Sequence, residues 1–254
     1  MTEARRAELL QLVSARGFVR VTDASAALGV SEVTIRADLS ELERRGSVAR
    51  VHGGAMLPGA IREPSLESAR EQQAQAKRAI AEHAAGLIHS GDSVFLDVGS
   101  TALAVAQAIV ERRDLSDVTV TTNGLSIALA LEAALPRLAV IVTGGSLRPL
   151  QHSLVNPYAA LLLESLRFDL AIIGCNGVDA AAGVTNVNLP ETEVKRQAIR
   201  QTGRAILVAD GSKLGAAELG VVGPLASFDL LVTAAADEEE IGRLTAAGLR
   251  VEIA

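Results

Sequence analysis

The stretch "FLDVGSTALAVAQAI", residues 95–109, changes its hydrophobic pattern at its centre. Before Gly99 the apolar residues are nearly continuous, as in a buried strand, and after Thr101 they recur at helical spacing. A strand that turns into a helix through Gly99, Ser100 and Thr101 places backbone amides and hydroxyls where they can hold a phosphate. The stretch therefore predicts an α/β fold with an anion site at this turn.

The same alternation of strand and helix continues along the chain after Asp92. Short β-branched runs are separated by segments rich in alanine and leucine, a pattern typical of buried parallel strands with helices on both faces. The predicted strands are "SVFLDV", "VTVTTN", "AVIVTGG", "LAIIGCNG" and "AILVAD", and a last strand and helix, "DLLVTAAADEEEIGRL", precede the terminal "LRVEIA".

Polar residues follow each predicted strand. Ligands of open α/β sheets bind beyond the carboxyl ends of the strands, so these residues form one candidate site. Glycines let amides approach an anion, Lys213 neutralises charge, and carboxylates and amides bind hydroxyls, so we expect a phosphorylated polyol or sugar. Taken singly, each residue also fits ordinary turn and capping chemistry. The set is Asp97, Gly99, Ser100, Thr101, Thr122, Asn123, Gly144, Gly145, Asn176, Gly177, Asp179, Asp210, Ser212 and Lys213.

Lysine is rare in this chain: only Lys77, Lys195 and Lys213 occur among 24 basic residues. A lysine retained in an arginine-rich chain can indicate a need for a compact ammonium. Lys195 stands early in a predicted helix, where a cation opposes the helix dipole. Either it faces a ligand or it pairs with Glu191 four residues before it, and both interpretations remain open.

The first sixty residues predict a small helical unit followed by a hairpin. A first helix ends at Gly17, Thr22 is the predicted N-cap of a second, and Gly29 supplies a tight turn. Ser31 caps a third helix whose buried stripe is Ile35, Leu39 and Leu42. After it, "SVARVHGGAML" predicts two short strands around a Gly53-Gly54 turn.

This order of elements suits a recognition helix that lies in the DNA major groove. Arg36 can bind guanine edges, while Arg50 and His52 on the hairpin can contact flanking phosphates. The alternative is a three-helix module that docks another protein. The predicted DNA-contacting residues are Ser31, Thr34, Arg36, Ala37, Ser40, Arg50, His52 and Gly53.

Charge and composition limit the class of protein. Residues 1–58 hold eight arginines against seven acids and the remainder is acidic, which excludes a general polyanion binder. The single Cys175 cannot form an internal disulfide, "TEARRAELL" lacks the pattern of an export signal, and no apolar run reaches membrane-spanning length. No cluster of His, Cys and Asp has metal-ligand spacing. We expect a soluble cytoplasmic protein without metal or cofactor.

Residues 31–57, "SEVTIRADLSELERRGSVARVHGGAML", resemble the winged helix-turn-helix signature of the DeoR (deoxyribose-repressor) family of bacterial transcription regulators. The resemblance implies that Thr34-Ile35-Arg36 opens the recognition helix and that the Arg-x-His-Gly-Gly run from Arg50 forms the wing. Ala37 departs from the family, whose members often carry a second arginine there.

The remaining chain resembles the DeoR effector domain, whose fold is similar to ribose-5-phosphate isomerase and the CoA-transferase-like group. "KRAIAEHAA", "LDVGST", "TTN", "TGGSLRP", "IIGCNGVD" and "ADGSKLG" follow the family's order. Ala102, often Thr in the family, and Asn156, where Gly is common, are departures. By resemblance the pocket for a phosphorylated sugar or its catabolite is lined by Asp97, Ser100, Thr101, Asn123, Gly145, Lys195 and Lys213.

Together these observations predict three segments and a regulatory function. Residues 1–57 form a DNA-binding winged helix-turn-helix domain, 58–75 a linker and the start of a connecting helix, and 76–254 an effector and oligomerisation domain. We expect a non-enzymatic repressor of a carbohydrate catabolic operon, dimeric or tetrameric, that a sugar phosphate releases from operator DNA. The alternative is a sugar-phosphate isomerase with an added domain, for which Asp97, Asp179 and Asp210 are candidate bases, although none of the four histidines ends a strand.

Overall fold

The computed structural model describes residues 2–16, 18–51, 54–56 and 63–254. The chain divides into two compact units, an N-terminal unit of residues 1–63 and a C-terminal unit of residues 64–254. The linker predicted to begin at 58 stays a prediction, since 57–62 lie outside the described residues. The elements of the N-terminal unit are α1 (Thr2–Arg16), β1 (Phe18–Arg20), α2 (Val21–Leu28), α3 (Glu32–Arg44), β2 (Ala49–Val51) and β3 (Gly54–Met56).

Three helices and a small antiparallel sheet form the N-terminal unit. The sheet has the order β1-β3-β2, so the predicted hairpin of β2 and β3 is confirmed and β1 is an additional strand. Ile35, Leu39 and Leu42 are buried, as the helical spacing predicts. The predicted N-cap at Thr22 is wrong: α2 begins at Val21, because β1 leads into the helix without an intervening capping residue.

The C-terminal unit alternates strands and helices, as the sequence predicts. Its helices are α4 (Leu66–Glu71), α5 (Ala74–Gly86), α6 (Ser100–Glu111), α7 (Leu125–Leu131), α8 (Tyr158–Glu164), α9 (Leu189–Arg200) and α10 (Glu238–Ala246). Its strands are β4 (Ser93–Leu96), β5 (Val118–Thr122), β6 (Leu138–Val142), β7 (Ser146–Arg148), β8 (Ser153–Val155), β9 (Leu170–Gly174), β10 (Gly177–Asp179), β11 (Gly183–Asn186), β12 (Ala205–Val208), β13 (Gly220–Gly223), β14 (Leu230–Thr233) and β15 (Val251–Ile253).

The predicted parallel sheet is confirmed. Seven strands pair in the order β15-β14-β12-β9-β4-β5-β6, and every pair is parallel. Consequently β4, β5, β9 and β12 all end at the same edge of the sheet. A smaller antiparallel sheet, β10-β11-β13, and the hairpin of β7 and β8 lie outside this main sheet.

Hydrophobic side chains cover both faces of the main sheet. Val94 and Leu96 of β4 belong to one apolar cluster, which includes the fully buried Ile80 of α5. Phe95, between them, belongs to the cluster on the opposite face, which includes Leu163 of α8. Alternate side chains of a strand face opposite sides, so a nearly continuous apolar run is what a strand covered on both faces requires.

The stretch "SLESAREQQAQAKRAIAEHAAGLI" is helical in composition throughout, but the structure divides it into two helices. α4 ends at Glu71 and α5 begins at Ala74. Between them Gln72 is extended and Gln73 adopts a left-handed conformation with φ of 51°. Helix-forming composition across the break conceals it, since glutamine is a good helix former.

Candidate functional site

The third helix presents a polar face with an ordered start. Ser31 caps α3, and its hydroxyl accepts a 3.3 Å hydrogen bond from the Thr34 amide, which confirms the predicted cap. Arg36, Ala37 and Ser40 are exposed on the face opposite the buried stripe. Their exposure fits the predicted groove-reading surface, while their contact with DNA stays a prediction.

Two arginines of this surface have partners within the protein. Arg36 Nη2 lies 2.8 Å from Glu32 Oε2, one turn earlier on α3. Arg50 Nη1, on β2, donates to Ser40 Oγ at 2.9 Å and to the Arg36 carbonyl at 3.2 Å. The Arg50 side chain therefore joins the hairpin to α3. The predicted contacts of His52 and Gly53 lie outside the described residues.

A buried carboxylate that the sequence analysis missed joins α3 to α1. Asp38 accepts hydrogen bonds from Arg5 at 2.6 Å and Arg6 at 3.0 Å. Burial raises the pKa of the Asp38 carboxyl, but the two guanidinium groups outweigh this effect and hold that pKa below its usual value. The partners are more than thirty residues apart, so helical periodicity gives no signal for them.

A buried ion pair lies where the main sheet meets α9. Asp97 directly follows β4, and its Oδ2 accepts a hydrogen bond from Lys195 Nζ. Burial would lower the pKa of Lys195, but the Asp97 and Glu191 carboxylates raise it, so the ammonium stays charged. Burial raises the pKa of the Asp97 carboxyl against the opposing effect of Lys195. Of the two interpretations of Lys195, a direct pairing with Glu191 is replaced by this pairing with Asp97.

Glu191 instead forms a second polar cluster beside the ion pair. Its Oε1 accepts hydrogen bonds from Arg148 at 2.7 Å and from Ser153 at 2.5 Å, and both Glu191 and Ser153 are buried. Neither Arg148 nor Ser153 is among the site residues predicted from the sequence. Near Glu191 in the sequence, Asn188 caps α9: its side-chain oxygen accepts a hydrogen bond from the Glu191 amide.

Acceptor atoms at adjacent strand ends lack partners among the described residues. Asp97 Oδ1 and Asn123 Oδ1 are buried and have no hydrogen-bond donor there, and the same holds for Asn156 Oδ1. Leu96 and Thr122 are register partners in β4 and β5, and Asp97 and Asn123 are the residues that come next. These two residues therefore lie side by side at the ends of neighbouring strands about 4.8 Å apart. Buried polar atoms normally have partners, so these oxygens indicate a place for a donor such as a hydroxyl.

The second polar atom of each of the Asp97 and Asn123 side chains is already hydrogen-bonded. Asp97 Oδ2 also accepts from the Gly174 amide at 2.9 Å, and Asn123 Nδ2 donates to the Leu154 carbonyl at 3.1 Å. These bonds fix the orientation of both side chains and leave one acceptor of each unmatched.

The end of β12 carries a third polar cluster. Asp210 is buried and accepts from the Ser212 amide at 3.0 Å, while Lys213 is half-buried in the following turn. Lys77 Nζ, on α5, lies 3.9 Å from Asp210 Oδ2. Burial lowers the pKa of Lys77 despite this carboxylate. Lys77 is one of the three lysines of the chain, but the sequence pattern predicts no site for it.

Three glycines of the candidate set adopt backbone conformations that favour glycine. Gly99, with φ of 103°, precedes α6, whose first residues Ser100 and Thr101 are half-buried. Gly144 and Gly145 both have positive φ, and a side chain at 145 would begin 2.3 Å from the Val155 carbonyl. Glycine at 145 therefore allows the close approach of the segment preceding β7 to β8, whatever the ligand.

Asn176 and Asp179 lie beside the smaller sheet. Asn176 Oδ1 accepts from the Val187 amide at 3.0 Å. Asp179 Oδ1 accepts from the amides of Ala181 and Ala182, at 2.9 and 2.8 Å, and closes the turn between β10 and β11. Both side chains thus stabilise loops, and their predicted contact with an effector stays a prediction.

A groove of about 710 Å³ runs between α5 and α6. Of the candidate effector residues only Ser100 lines it, together with Lys77. Two of its arginines have partners: Arg78 pairs with Glu82 and Arg112 with Asp114. The unmatched acceptors, and not this groove, therefore mark the candidate effector site.

Two kinds of feature are absent from the part of the chain that the structure describes. No group of three or more His, Cys, Asp or Glu side chains there is arranged to hold a metal ion. No helix there is long and apolar enough to cross a membrane.

Comparisons with known proteins agree with the two-unit organisation. The DeoR-like helix-turn-helix domain matches residues 5–59 and the DeoR C terminal sensor domain matches residues 72–235. A relative from Haloferax volcanii, the HTH-type transcriptional regulator GlpR, is 35% identical over 90% of this chain and 88% of its own length. The putative aga operon transcriptional repressor of Escherichia coli O157:H7 is 33% identical over 91% of this chain and 86% of its own.

Solved structures show a more distant similarity. The full-length sorbitol operon regulator SorC from Klebsiella pneumoniae has a TM-score of 0.41 and 16% identity, covering 94% of this chain and 97% of its own. Ribose 5-phosphate isomerase A from Methanocaldococcus jannaschii has a TM-score of 0.42 and 16% identity, covering 56% of this chain and 55% of its own. On the two sequence matches, which together span most of its length, this chain belongs to the DeoR family of transcriptional regulators.

Proposed function

We propose that the protein is a sequence-specific repressor of a carbohydrate catabolic operon, and that a phosphorylated sugar or sugar catabolite bound in the C-terminal unit releases it from DNA. The exposed polar face of α3 supports DNA binding, because a capped helix with an outward Arg36 can enter the major groove. Relatives named as an operon repressor and as a glycerol-3-phosphate regulon repressor support the same class of target genes.

The observation that carries the effector proposal is the pair of unmatched acceptors, Asp97 Oδ1 and Asn123 Oδ1. A sugar hydroxyl donates to such oxygens, and the pair requires donors rather than a second anion. Phosphate would bind beside them, at the turn of Gly99, Ser100 and Thr101, with Lys213 supplying positive charge. The protein would act in the cytoplasm as a dimer or tetramer, because paired operator half-sites require at least two copies.

Fluorescence anisotropy on DNA from upstream of the protein's own gene tests this function. At fixed salt, the protein is titrated onto this DNA and onto a scrambled sequence, then challenged with ribose 5-phosphate, fructose 1-phosphate, glycerol 3-phosphate and their unphosphorylated parents. We expect sequence-dependent binding that one phosphate ester reverses. Turnover of a panel member without specific DNA binding would favour an isomerase instead.

Lys213→Ala separates the effector site from the DNA-binding surface. Removal of this ammonium should abolish the response to the phosphate ester and leave operator affinity unchanged, because Lys213 belongs to the C-terminal unit. Arg113→Ala, an exposed cation of the same unit, is the control and should respond normally. An intact response in the Lys213 variant would place the phosphate elsewhere.

A further inference from the structure

The first segment of the C-terminal unit, residues 64–72, is held by side chains from other parts of that unit. It contains α4 and immediately follows the N-terminal unit in the chain. Leu66 buries its side chain in the apolar cluster that also contains Ala102 and Leu103 of α6. We call residues 64–72 the α4 segment, and polar contacts hold it as well.

One attachment joins the start of the α4 segment to the turn before β8. Gln151, which is buried, donates through Nε2 to the Pro64 carbonyl at 2.7 Å. The next residue, His152, places its Nε2 3.5 Å from Glu67 Oε1 and its Nδ1 2.6 Å from Ser126 Oγ. A turn of two residues therefore contacts both the carbonyl that opens the segment and the first turn of α4.

The same turn continues directly into the candidate effector site. After His152, buried Ser153 donates to Glu191, and Leu154 exchanges two hydrogen bonds with Asn123. The Leu154 amide donates to the Asn123 carbonyl at 2.7 Å, and the Asn123 amide group donates to the Leu154 carbonyl at 3.1 Å. Because Asn123 is fully covered, a ligand can reach its Oδ1 only if the covering residues move.

A second attachment joins the end of the α4 segment to the other side of the site. Lys77 Nζ donates to the carbonyls of Ala69 and Gln72, both at 2.6 Å, and lies 3.9 Å from Asp210. The last carbonyls of a helix have no partners within it, so a buried ammonium is well placed to satisfy them. Because Lys77 is buried, loss of these acceptors would leave its charge poorly compensated.

We propose that the α4 segment couples the effector site to the DNA-binding unit, and that Gln151 and Lys77 are the positioning residues of this coupling. Ligand entry beside Asn123 displaces residues 153–155 and the adjoining turn, and thereby changes the hold of Gln151 on Pro64. Lys77 transmits changes at Asp210 to the other end of the segment. The proposal rests on the proposed function, since it needs both DNA and ligand to bind the same chain.

Hydrogen–deuterium exchange of the full chain, with and without its operator DNA, tests the coupling without requiring a known effector. By reciprocity, DNA bound to the N-terminal unit should alter amide exchange in residues 64–72, 149–155 and 210–213. Both Gln151→Met and Lys77→Met should keep their operator affinity. In Gln151→Met, DNA should no longer change amide exchange in residues 149–155. In Lys77→Met, DNA should no longer change it in residues 210–213. Arg78→Met, next to Lys77 but exposed, is the matched control and should behave like the wild type.

The outcomes separate this inference from the proposed function. Absence of specific operator binding would refute the proposed function itself. Specific binding with unchanged exchange in 149–155 and 210–213 of the wild-type chain would overturn the coupling and leave the repressor function intact. A wild-type change of amide exchange in residues 149–155 of Gln151→Met would also overturn the coupling. Methionine is neutral and similar in size to glutamine, so this variant decides the question if Lys77→Met fails to fold.

Discussion

At the residue scale, Asp97 and Lys195 form a buried ion pair at the end of β4. Both side chains are buried, and the carboxylate keeps one oxygen unmatched. A buried ion pair adds little net stability, whereas loss of one partner leaves a charge without compensation. Such a pair is therefore well suited to hold an acceptor in a fixed position at the end of β4.

Lys195→Met should lower the free energy of unfolding of the C-terminal unit by about 3–5 kcal/mol, because Asp97 would remain buried without its ammonium. Urea unfolding followed by circular dichroism measures the loss. The double variant Asp97→Asn with Lys195→Met removes both charges and should recover much of the stability. A single variant as stable as the wild type would contradict a charged pair.

Arg36 is the residue of α3 with the clearest expected role on DNA. Arg36→Ala should weaken binding to the cognate operator by about 1–3 kcal/mol and relax the base preference at one position. Competition anisotropy with operators substituted at single base pairs measures both effects. Arg44→Ala, an exposed arginine at the end of the same helix, is the control and should leave base preference unchanged. Equal effects of the two variants would remove Arg36 from the reading face.

At the scale of elements, Asp38 fixes α3 against α1 through its hydrogen bonds with Arg5 and Arg6. Asp38→Asn should destabilise the N-terminal unit by about 2 kcal/mol, since charge-assisted hydrogen bonds are replaced by weaker neutral ones. Thermal unfolding monitored by circular dichroism reports the change. Glu8→Gln, an exposed carboxylate on α1, is the control with no expected effect.

The same contact predicts a pH dependence. The folded pKa of Asp38 lies below its usual value, so its stabilisation is present above the unfolded pKa of about 3.9 and is lost as the pH falls through the folded pKa. The Asn variant should lack this part of the acid destabilisation. Identical acid profiles for the two proteins would show that Asp38 is not ionised against its arginines.

At the scale of the whole molecule, regulation requires that DNA and effector change each other's affinity. If the effector weakens operator binding by a given factor, typically about 5- to 150-fold, the operator must weaken effector binding by the same factor. Isothermal titration of the releasing sugar phosphate, with and without saturating operator, measures the second factor. Equal effector affinity in the two titrations would contradict release by linkage.

The sequence by itself determined the seven strands of the main sheet and the three helices of the N-terminal unit, in their order along the chain. Nearly continuous apolar runs such as "FLDV" require strands covered on both faces, and the spacing of Ile35, Leu39 and Leu42 requires a helix with one buried stripe. Both follow from contacts between residues near in sequence, so local patterns suffice. Local patterns failed at Thr22 and at Gln73, where a preceding strand and a left-handed residue override the preference of the neighbouring sequence.

Only the tertiary structure decided which polar groups meet. Lys195 had two plausible partners by sequence, and its actual partner lies 98 residues away. Likewise, 43 residues separate Glu191 from Arg148, and 87 residues separate Gln151 from Pro64. Such contacts depend on how parallel strands align their ends and how loops pack over them. Because a polar side chain carries no periodic signal for a distant partner, the unmatched acceptors and the hold on the α4 segment emerge only after the chain has folded.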